Sequence, residues 1–383
     1  MGGLQPGAVA MELLHSEHAA TLPVGRRIVI IGPSGRAISR LRGALIRDVL
    51  SRGHSVLALA PQMSSQDAQS LIALGAEAAS FAVKPDKFSL WPGRVVVRAL
   101  AELLKAWRAD AVLIFGQPIV PLASGAARIA GIKTTVLMVS ELNSGAVSGA
   151  LARAIKAADR VVAHNRDDHR VLEASAPAGS ARKFLRVAGA GADLVGLANI
   201  PLPGFDNGVV FLMAARLDKE KGARAFCEAA TIARNEGLNA RFLLAGPDGT
   251  GEGALSPQDL SVFAANVEFL GDAADMRPVL QRAHVFVSPS YAEGMPHAVQ
   301  QAMAAGRPLI VSDIAGSRET ADEFVNGIVV PARNTAALAE AFRRMVKSKE
   351  LIATMGRASR VKAERNFDVG AVNRGLRAAL GLA

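Results

Sequence analysis

The chain has 383 residues, half of them hydrophobic and 4% aromatic, a composition able to bury substantial cores in two domains rather than one. No charge-free run of about 18 apolar residues occurs, which argues against a membrane-crossing helix. The single Cys227 rules out an internal disulfide and a cysteine-rich metal site, and reads as a small buried apolar residue in a reducing compartment.

Residues 1–25 include AVAMELLHSEHAATL, which lacks the basic start, continuous apolar core and cleavage pattern of a secretory signal, and is read as a flexible leader. From residue 26 short apolar runs alternate with segments of helical period: RRIVIIG then RLRGALIRDVLSRG, SVLALAP then SSQDAQSLIALG, AVLIFG then ASGAARIAG, TTVLMVS, and RVVAHN then RDDHRVLEAS. That alternation is the pattern of a parallel sheet wrapped by helices. Within GLANIPLPGFDNG the order lapses, and residues 199–208 are read as a linker between a domain at 26–198 and another at 209–365. The alternation restarts with GVVFLMAAR and continues to LAEAFRRMVKSKELIATMG, after which 366–383 form a last helix. The expected fold class is α/β: two Rossmann-like doubly wound domains in tandem.

Ligands of such sheets collect beyond the carboxyl ends of the strands, so the strand-to-helix turns carry the functional signal. In IIGPSGRAISRLRG, Gly32 and Gly35 either let backbone approach a phosphate or sugar or form a plain tight turn. The missing third glycine disfavours a nicotinamide-binding fingerprint. In AARLDKEKGA, Arg216 and Lys221 lie five residues apart; they suit a diphosphate, as a planar fork and a point charge, or sit on a solvated loop. In VEFLGDAADMRPVL, Leu270 ends a short strand whose free main-chain groups could read a nucleobase. In EGMPHAVQQAMAAG, Pro296 is expected as the first helical residue, so that Gly294 and Met295 offer backbone at a helix start, with Glu293 before it and Gln301 on the same rim. His297 could donate to a phosphate or cap the helix, and His164 in AHNRDD is expected to help start one.

Taken together, ARLDKEKG, FLLAGP, VEFLG, VFVSPSYAEGMPHAVQQAMAAGRPLIVSDIAGSRE and NGIVVP make the sequence resemble the retaining, nucleotide-sugar-dependent glycosyltransferases of family 4, with the GT-B fold. LRGALIRDVLSRGHSVLALAP extends the resemblance, more loosely, to the bacterial branch acting on lipid-linked oligosaccharides and surface polysaccharides. The resemblance implies that Arg216 and Lys221 hold the donor diphosphate and stabilise the departing nucleoside diphosphate, and that Glu293 contacts the transferred sugar. It implies a nucleotide-sugar donor, with UDP favoured, and a last helix crossing back to the first domain. At position 301 the family pattern carries a second glutamate; the glutamine found here offers the ribose one accepting oxygen and a donor in place of a carboxylate.

Fixed cations and helix N–H groups can stabilise a leaving diphosphate without a metal, and no Asp-x-Asp pair occurs to clamp a divalent ion. Metal-independent transfer with no cofactor is therefore expected. Lys133, Glu141 and Asn143, near a first-domain strand end, are candidates to touch the acceptor or are loop decoration.

The charge is asymmetric. The first 200 residues hold 23 of the 44 Lys/Arg and 14 of the 34 Asp/Glu, net +9, and the rest are near neutral. In KPDKFSLWPGRVVVRALAELLKAWRAD, Lys84, Lys87, Arg94, Arg98, Lys105 and Arg108 interleave with Phe88, Trp91 and Trp107, so this segment either rests on an anionic membrane or forms a helix with a solvated basic face and buried tryptophans. Nucleic acid is disfavoured, because no recognition module accompanies the charge. The protein is expected in the cytoplasm, with the basic segment able to meet the inner face of a membrane. A glycosyltransferase is the leading reading; a catalytically silent nucleotide-sugar-binding partner and an oxidoreductase are the alternatives, and sugar-nucleotide epimerases share the fold.

Overall fold

A computed structural model of the protein describes residues 13–14, 25–61, 63–81, 92–142, 149–174, 181–198, 200–249, 251 and 253–382. These fall into two compact units, one of residues up to Val187 together with those from Asn373 onward, the other Ala188–Val372.

The first unit runs β1 (Leu13–Leu14), β2 (Arg27–Ile31), α1 (Gly35–Leu50), β3 (Ser55–Pro61), α2 (Ser65–Ile72), β4 (Glu77–Phe81), α3 (Pro92–Ala106), β5 (Ala111–Phe115), α4 (Val120–Ala130), β6 (Thr134–Val139), α5 (Gly149–Ala157), β7 (Arg160–Ala163), α6 (Arg166–Ala174) and β8 (Phe184–Arg186). Its sheet has the order β1-β4-β3-β2-β5-β6-β7-β8. All pairs are parallel except β1, where Leu13 and Leu14, inside the segment read as a leader, pair antiparallel with Ala79 and Ala78. Central strands such as AVLIF, and RIVII from its second residue, are buried along their length, as a sheet covered on both faces requires.

The second unit runs β9 (Val209–Ala214), α7 (Ala223–Asn235), β10 (Ala240–Ala245), α8 (Pro257–Phe263), β11 (Glu268–Gly271), α9 (Arg277–Leu280), β12 (Val285–Ser288), α10 (His297–Ala304), β13 (Leu309–Ser312), α11 (Ala315–Arg318), β14 (Gly327–Val330), α12 (Thr335–Lys347) and α13 (Lys349–Asn366). The last helix, α14 (Val369–Ala379), starts in this unit, and its residues from Asn373 belong to the first. The six strands are ordered β11-β10-β9-β12-β13-β14, all parallel. The order reverses direction between β9 and β12, which makes the loops leaving those two strands the topological switch point.

Four phenylalanines lock the face of the sheet beneath that point. Phe211 of β9, Phe242 of β10, Phe226 of α7 and Phe342 of α12 are fully buried, with ring centroids 4.7–6.1 Å apart. Such pairs add packing energy beyond their area and fix the strands against the helices. Cys227 lies in the same core, where burial pushes its thiol up to about 12.

Residues 199–208 were expected to link the domains, yet the described part belongs to the second unit. Leu202 and Phe205 pack on its core, and Arg307, 1% exposed, donates to Ile200 O (2.9 Å) and Pro201 O (2.7 Å) as well as to Ala305 O and Leu280 O. His284 stacks on Phe205 with centroids 4.1 Å apart; its Nδ1 accepts from Val210 N and its Nε2 donates to Pro203 O. The two prolines signalled a break in periodicity, but Leu202 between them and Phe205 beyond them found a core.

Candidate functional site

At the switch point of the second unit, the loop after β9 meets the loop after β12. Tyr291 N donates to Glu220 O at 2.8 Å. Gly222 has φ +74°, and a Cβ there would stand 2.2 Å from Pro289 O, so only glycine lets the two loops approach this closely. The contact brings Lys221 to Glu293: Nζ lies 2.9 Å from Oε1, with the side chains 22% and 19% exposed. Ser290 Oγ donates to the other oxygen of Glu293 at 2.9 Å, which fixes the carboxylate in one orientation.

Asp218, 7% exposed, organises the first loop. One carboxylate oxygen accepts from Arg216 Nε at 2.8 Å and the other from Lys221 N at 3.0 Å. The bond to Nε leaves the outer edge of the Arg216 guanidinium, on a side chain 56% exposed, available to an oxyanion. Four charged groups thus form two pairs, Arg216–Asp218 and Lys221–Glu293, at the mouth of the sheet.

Helix α10 starts one residue later than expected. Pro296 is its N-cap with extended backbone (φ −73°, ψ 107°), and His297 is the first helical residue. Gly294, Met295 and Pro296 are buried. The Met295 side chain is a core element: a Cβ on Gly189 would meet its Cγ at 2.6 Å. Helix α11 lies against the same backbone, because a Cβ on Gly316 would stand 2.7 Å from Glu293 O and 2.5 Å from Gly294 O. Gln301 is half-buried in α10, while its neighbour Gln300 is wholly buried and bonded to the 188–191 segment. Leu270 is next to last in β11, an edge strand, and its half-buried side chain packs on the core.

The remaining sequence candidates lie in the first unit. Gly35 is the first residue of α1, packed so closely that a Cβ would meet Asp67 Cβ at 2.7 Å. Lys133 precedes β6 and Glu141 follows it, so they stand at opposite ends of a six-residue strand, about 20 Å apart at the usual rise. Lys133 therefore falls away from the carboxyl edge where Glu141 sits, a correction that strand direction dictates. Asn143 is outside the described residues.

Glu141 is exposed, with left-handed backbone (φ 61°). Asp168, 1% exposed, holds that turn by accepting from Glu141 N (3.0 Å) and Leu142 N (2.7 Å), and is itself held by Asn165 Nδ2 (2.7 Å). Asn165 Oδ1 accepts from Asp168 N, so it is Asn165 that caps α6, and not His164 as expected. His164 ends inside, its Nε2 enclosed without a hydrogen-bond partner; burial, reinforced by the charge of Arg42, pushes it down to about 3.

Arg94, Arg98 and Lys105 on α3 and Arg108 just beyond it are all exposed, but Trp107, the residue after the helix, is buried, donating Nε1–H to Glu77 and lying under the Arg27 guanidinium. The described part of the segment, from Pro92 on, is thus a helix with an exposed basic face. Lys84, Lys87, Phe88 and Trp91 are outside the described residues. Among the described residues no helix is long and apolar enough to cross a membrane, and no cluster of three or more His, Cys, Asp or Glu offers a metal site. Sequence reasoning missed Asp218 and Ser290, short polar residues whose roles exist only once the two loops meet.

Comparison with known proteins bears on the fold first. A glycosyltransferase from Rickettsia africae superposes with a TM-score of 0.69 over 93% of this chain and 98% of that one, at 14% identity. Anabaena Alr3699/HepE in complex with UDP gives a TM-score of 0.72 over 93% of this chain and 100% of that one, at 17% identity. The chain therefore has the fold of these GT-B structures. By sequence it is 32% identical over 146 residues to the N,N'-diacetylbacillosaminyl-diphospho-undecaprenol alpha-1,3-N-acetylgalactosaminyltransferase of Campylobacter jejuni, 38% of each chain. The alignments span about two fifths of the length of the first curated relatives. Residues 208–348, which hold Arg216, Asp218, Lys221, Ser290, Glu293 and Gln301, match the family described as glycosyl transferases group 1.

Proposed function

We propose that the protein is a retaining glycosyltransferase of family 4. It moves a hexosyl or N-acetylhexosaminyl group from a UDP-sugar to a glycan or lipid-linked acceptor in bacterial surface polysaccharide synthesis. The observation that carries the reading is the meeting of Lys221 and Glu293, beside Arg216, at the switch point between β9 and β12, within the segment that matches group 1 glycosyltransferases.

The chemistry follows from the charges. As the bond from the anomeric carbon to the β-phosphate oxygen breaks, negative charge grows on the diphosphate; Arg216 and Lys221 are placed to stabilise it, while Glu293 accepts hydrogen bonds from hydroxyls of the transferred sugar. The acceptor hydroxyl forms the new bond to the same carbon from the face the diphosphate leaves, which keeps the configuration, and its proton passes to the departing β-phosphate oxygen. These fixed cations supply the charge a metal would otherwise bring, so transfer proceeds without one. Among the described residues, a role at the inner face of a membrane rests on the exposed basic residues on and just after α3, because Trp107 is buried. Gln301 favours a second reading, a nucleotide-sugar-binding partner that does not turn over.

The test is incubation with UDP-sugars and no added metal, with UDP release and anomeric configuration followed by NMR. Slow hydrolysis or transfer with retention, abolished by Glu293→Ala and by Lys221→Ala in folded protein, is the expected result. Rates unchanged by both substitutions overturn the site. Binding without turnover that Gln301→Glu converts to turnover favours the silent partner.

A further inference from the structure

The pair Lys221–Glu293 sets a condition on any diphosphate that enters this site. The ammonium that would hold a phosphate is already 2.9 Å from a carboxylate, and that carboxylate is kept in place by Ser290 Oγ at 2.9 Å. An incoming phosphate therefore competes with Glu293 for Lys221 and comes to rest beside a second anion. Lys221 and Glu293 are each less than a quarter exposed, so a phosphate and the carboxylate sharing that ammonium repel each other unless something donates to the carboxylate.

An intact sugar nucleotide carries that donor: hydroxyls of its sugar, next to the β-phosphate, can bond Glu293 as Lys221 turns to the phosphate. A free nucleoside diphosphate has none there, and its terminal phosphate bears an extra charge. We infer that Glu293 discriminates between substrate and product, disfavouring the free nucleoside diphosphate by competing for Lys221 and favouring the intact donor by accepting its hydroxyls. The inference rests on the reading of this site as a diphosphate site, and gives the carboxylate a second task, expelling the leaving group after transfer.

A sign reversal follows. Loss of the carboxylate charge must weaken turnover yet strengthen binding of the product, because Lys221 is then released to the phosphate. Calorimetric titration of wild type, Glu293→Gln and Lys221→Met with UDP and with inorganic pyrophosphate tests it. Glu293→Gln is expected to bind both on the order of ten-fold more tightly than wild type, and Lys221→Met to bind both more weakly. Glu293→Ala, which removes the same charge, is expected to match the amide and keeps the test if the amide disturbs the loop. Wild type that binds UDP, with both Glu293 variants binding it equally or less tightly, overturns the inference and leaves the proposed function standing. Wild type that binds neither UDP nor pyrophosphate overturns the reading of the site, and the inference with it.

Discussion

Gln300 Oε1 accepts the backbone N–H of Gly191 at 3.1 Å, joining helix α10 to a segment 109 positions away. Its Nε2 donates to Ala188 O at 2.8 Å, so both ends of one buried amide hold the chain where it enters the second unit. The two glutamines of α10 thus differ: Gln300 is wholly buried and secures the fold, whereas Gln301, the next residue, is half-buried. Gln300→Ala is expected to cost about 2 kcal/mol, since it leaves the buried N–H of Gly191 and the half-buried carbonyl of Ala188 without their partner. Gln301→Ala should stay within about 0.5 kcal/mol of wild type. Urea unfolding of both variants checks the contrast.

Gln301→Glu is expected to tighten binding of a UDP-sugar, because a carboxylate can accept from two ribose hydroxyls where the amide offers one accepting oxygen. The gain is on the order of ten-fold in affinity, one hydrogen bond to a charged group. Titration of the two proteins with the same donor measures it.

Asp218→Ala removes the group that aims Arg216 and holds the backbone of Lys221. Turnover of the best UDP-sugar should fall roughly ten- to a hundred-fold in kcat/KM, equal to about 1.4–2.8 kcal/mol of lost transition-state stabilisation. Circular dichroism is expected to show an intact fold, which separates lost aim from lost structure.

Gly222→Ala tests the loop contact itself. A Cβ here combines left-handed backbone with a 2.2 Å clash against Pro289 O, and left-handed geometry alone costs about 1–2 kcal/mol. A drop in Tm larger than that of Gly237→Ala, where φ is +76° and nothing lies within 4 Å of the added carbon, would isolate the clash from the backbone cost.

Acid should unfold the protein through two histidines. Burial holds His284 below its ordinary range and pushes His164 down to about 3. Each binds its proton more readily in the unfolded chain, so the stability they contribute is complete above about pH 6.5 and is lost as pH falls toward the folded values. Below pH 6.5 each histidine can add a slope of up to about 1.4 kcal/mol per pH unit. Urea unfolding between pH 7 and pH 5, above most carboxylate titration, is expected to show the decline, and His164→Asn to flatten it.

The parallel sheets were legible because their strands are continuous apolar runs, RIVII, AVLIF and VVFLMA, set between helices with apolar stripes. The pair of loops carrying Arg216, Lys221 and Glu293 was legible because glycine and proline mark strand-to-helix turns. Other features depended on what the fold brings together. Nothing local in SPSYAEG says that Ser290 will bond Glu293, and nothing in RLDKEK distinguishes Asp218 from a solvated acid. His164 and Asn165 are neighbours, and only the start of α6 decides which one caps it. In residues 199–208 the prolines outweighed Ile200, Leu202 and Phe205, whose spacing was the available sign of packing.

The Arg307 guanidinium is held entirely by main-chain carbonyls, those of Leu280, Ile200, Ala305 and Pro201, at 2.6–3.2 Å. Ionic strength weakens attraction between exposed charges, but it barely reaches an enclosed cation bonded to carbonyl dipoles. Burial lowers this arginine only to about 10, so it keeps its proton throughout the neutral range. The fastening of Ile200 and Pro201 to the second unit is therefore indifferent to salt, whereas surface pairs such as Arg343–Glu236 loosen as salt rises. High-salt buffers that strip this protein of its surface ion pairs leave that anchorage in place.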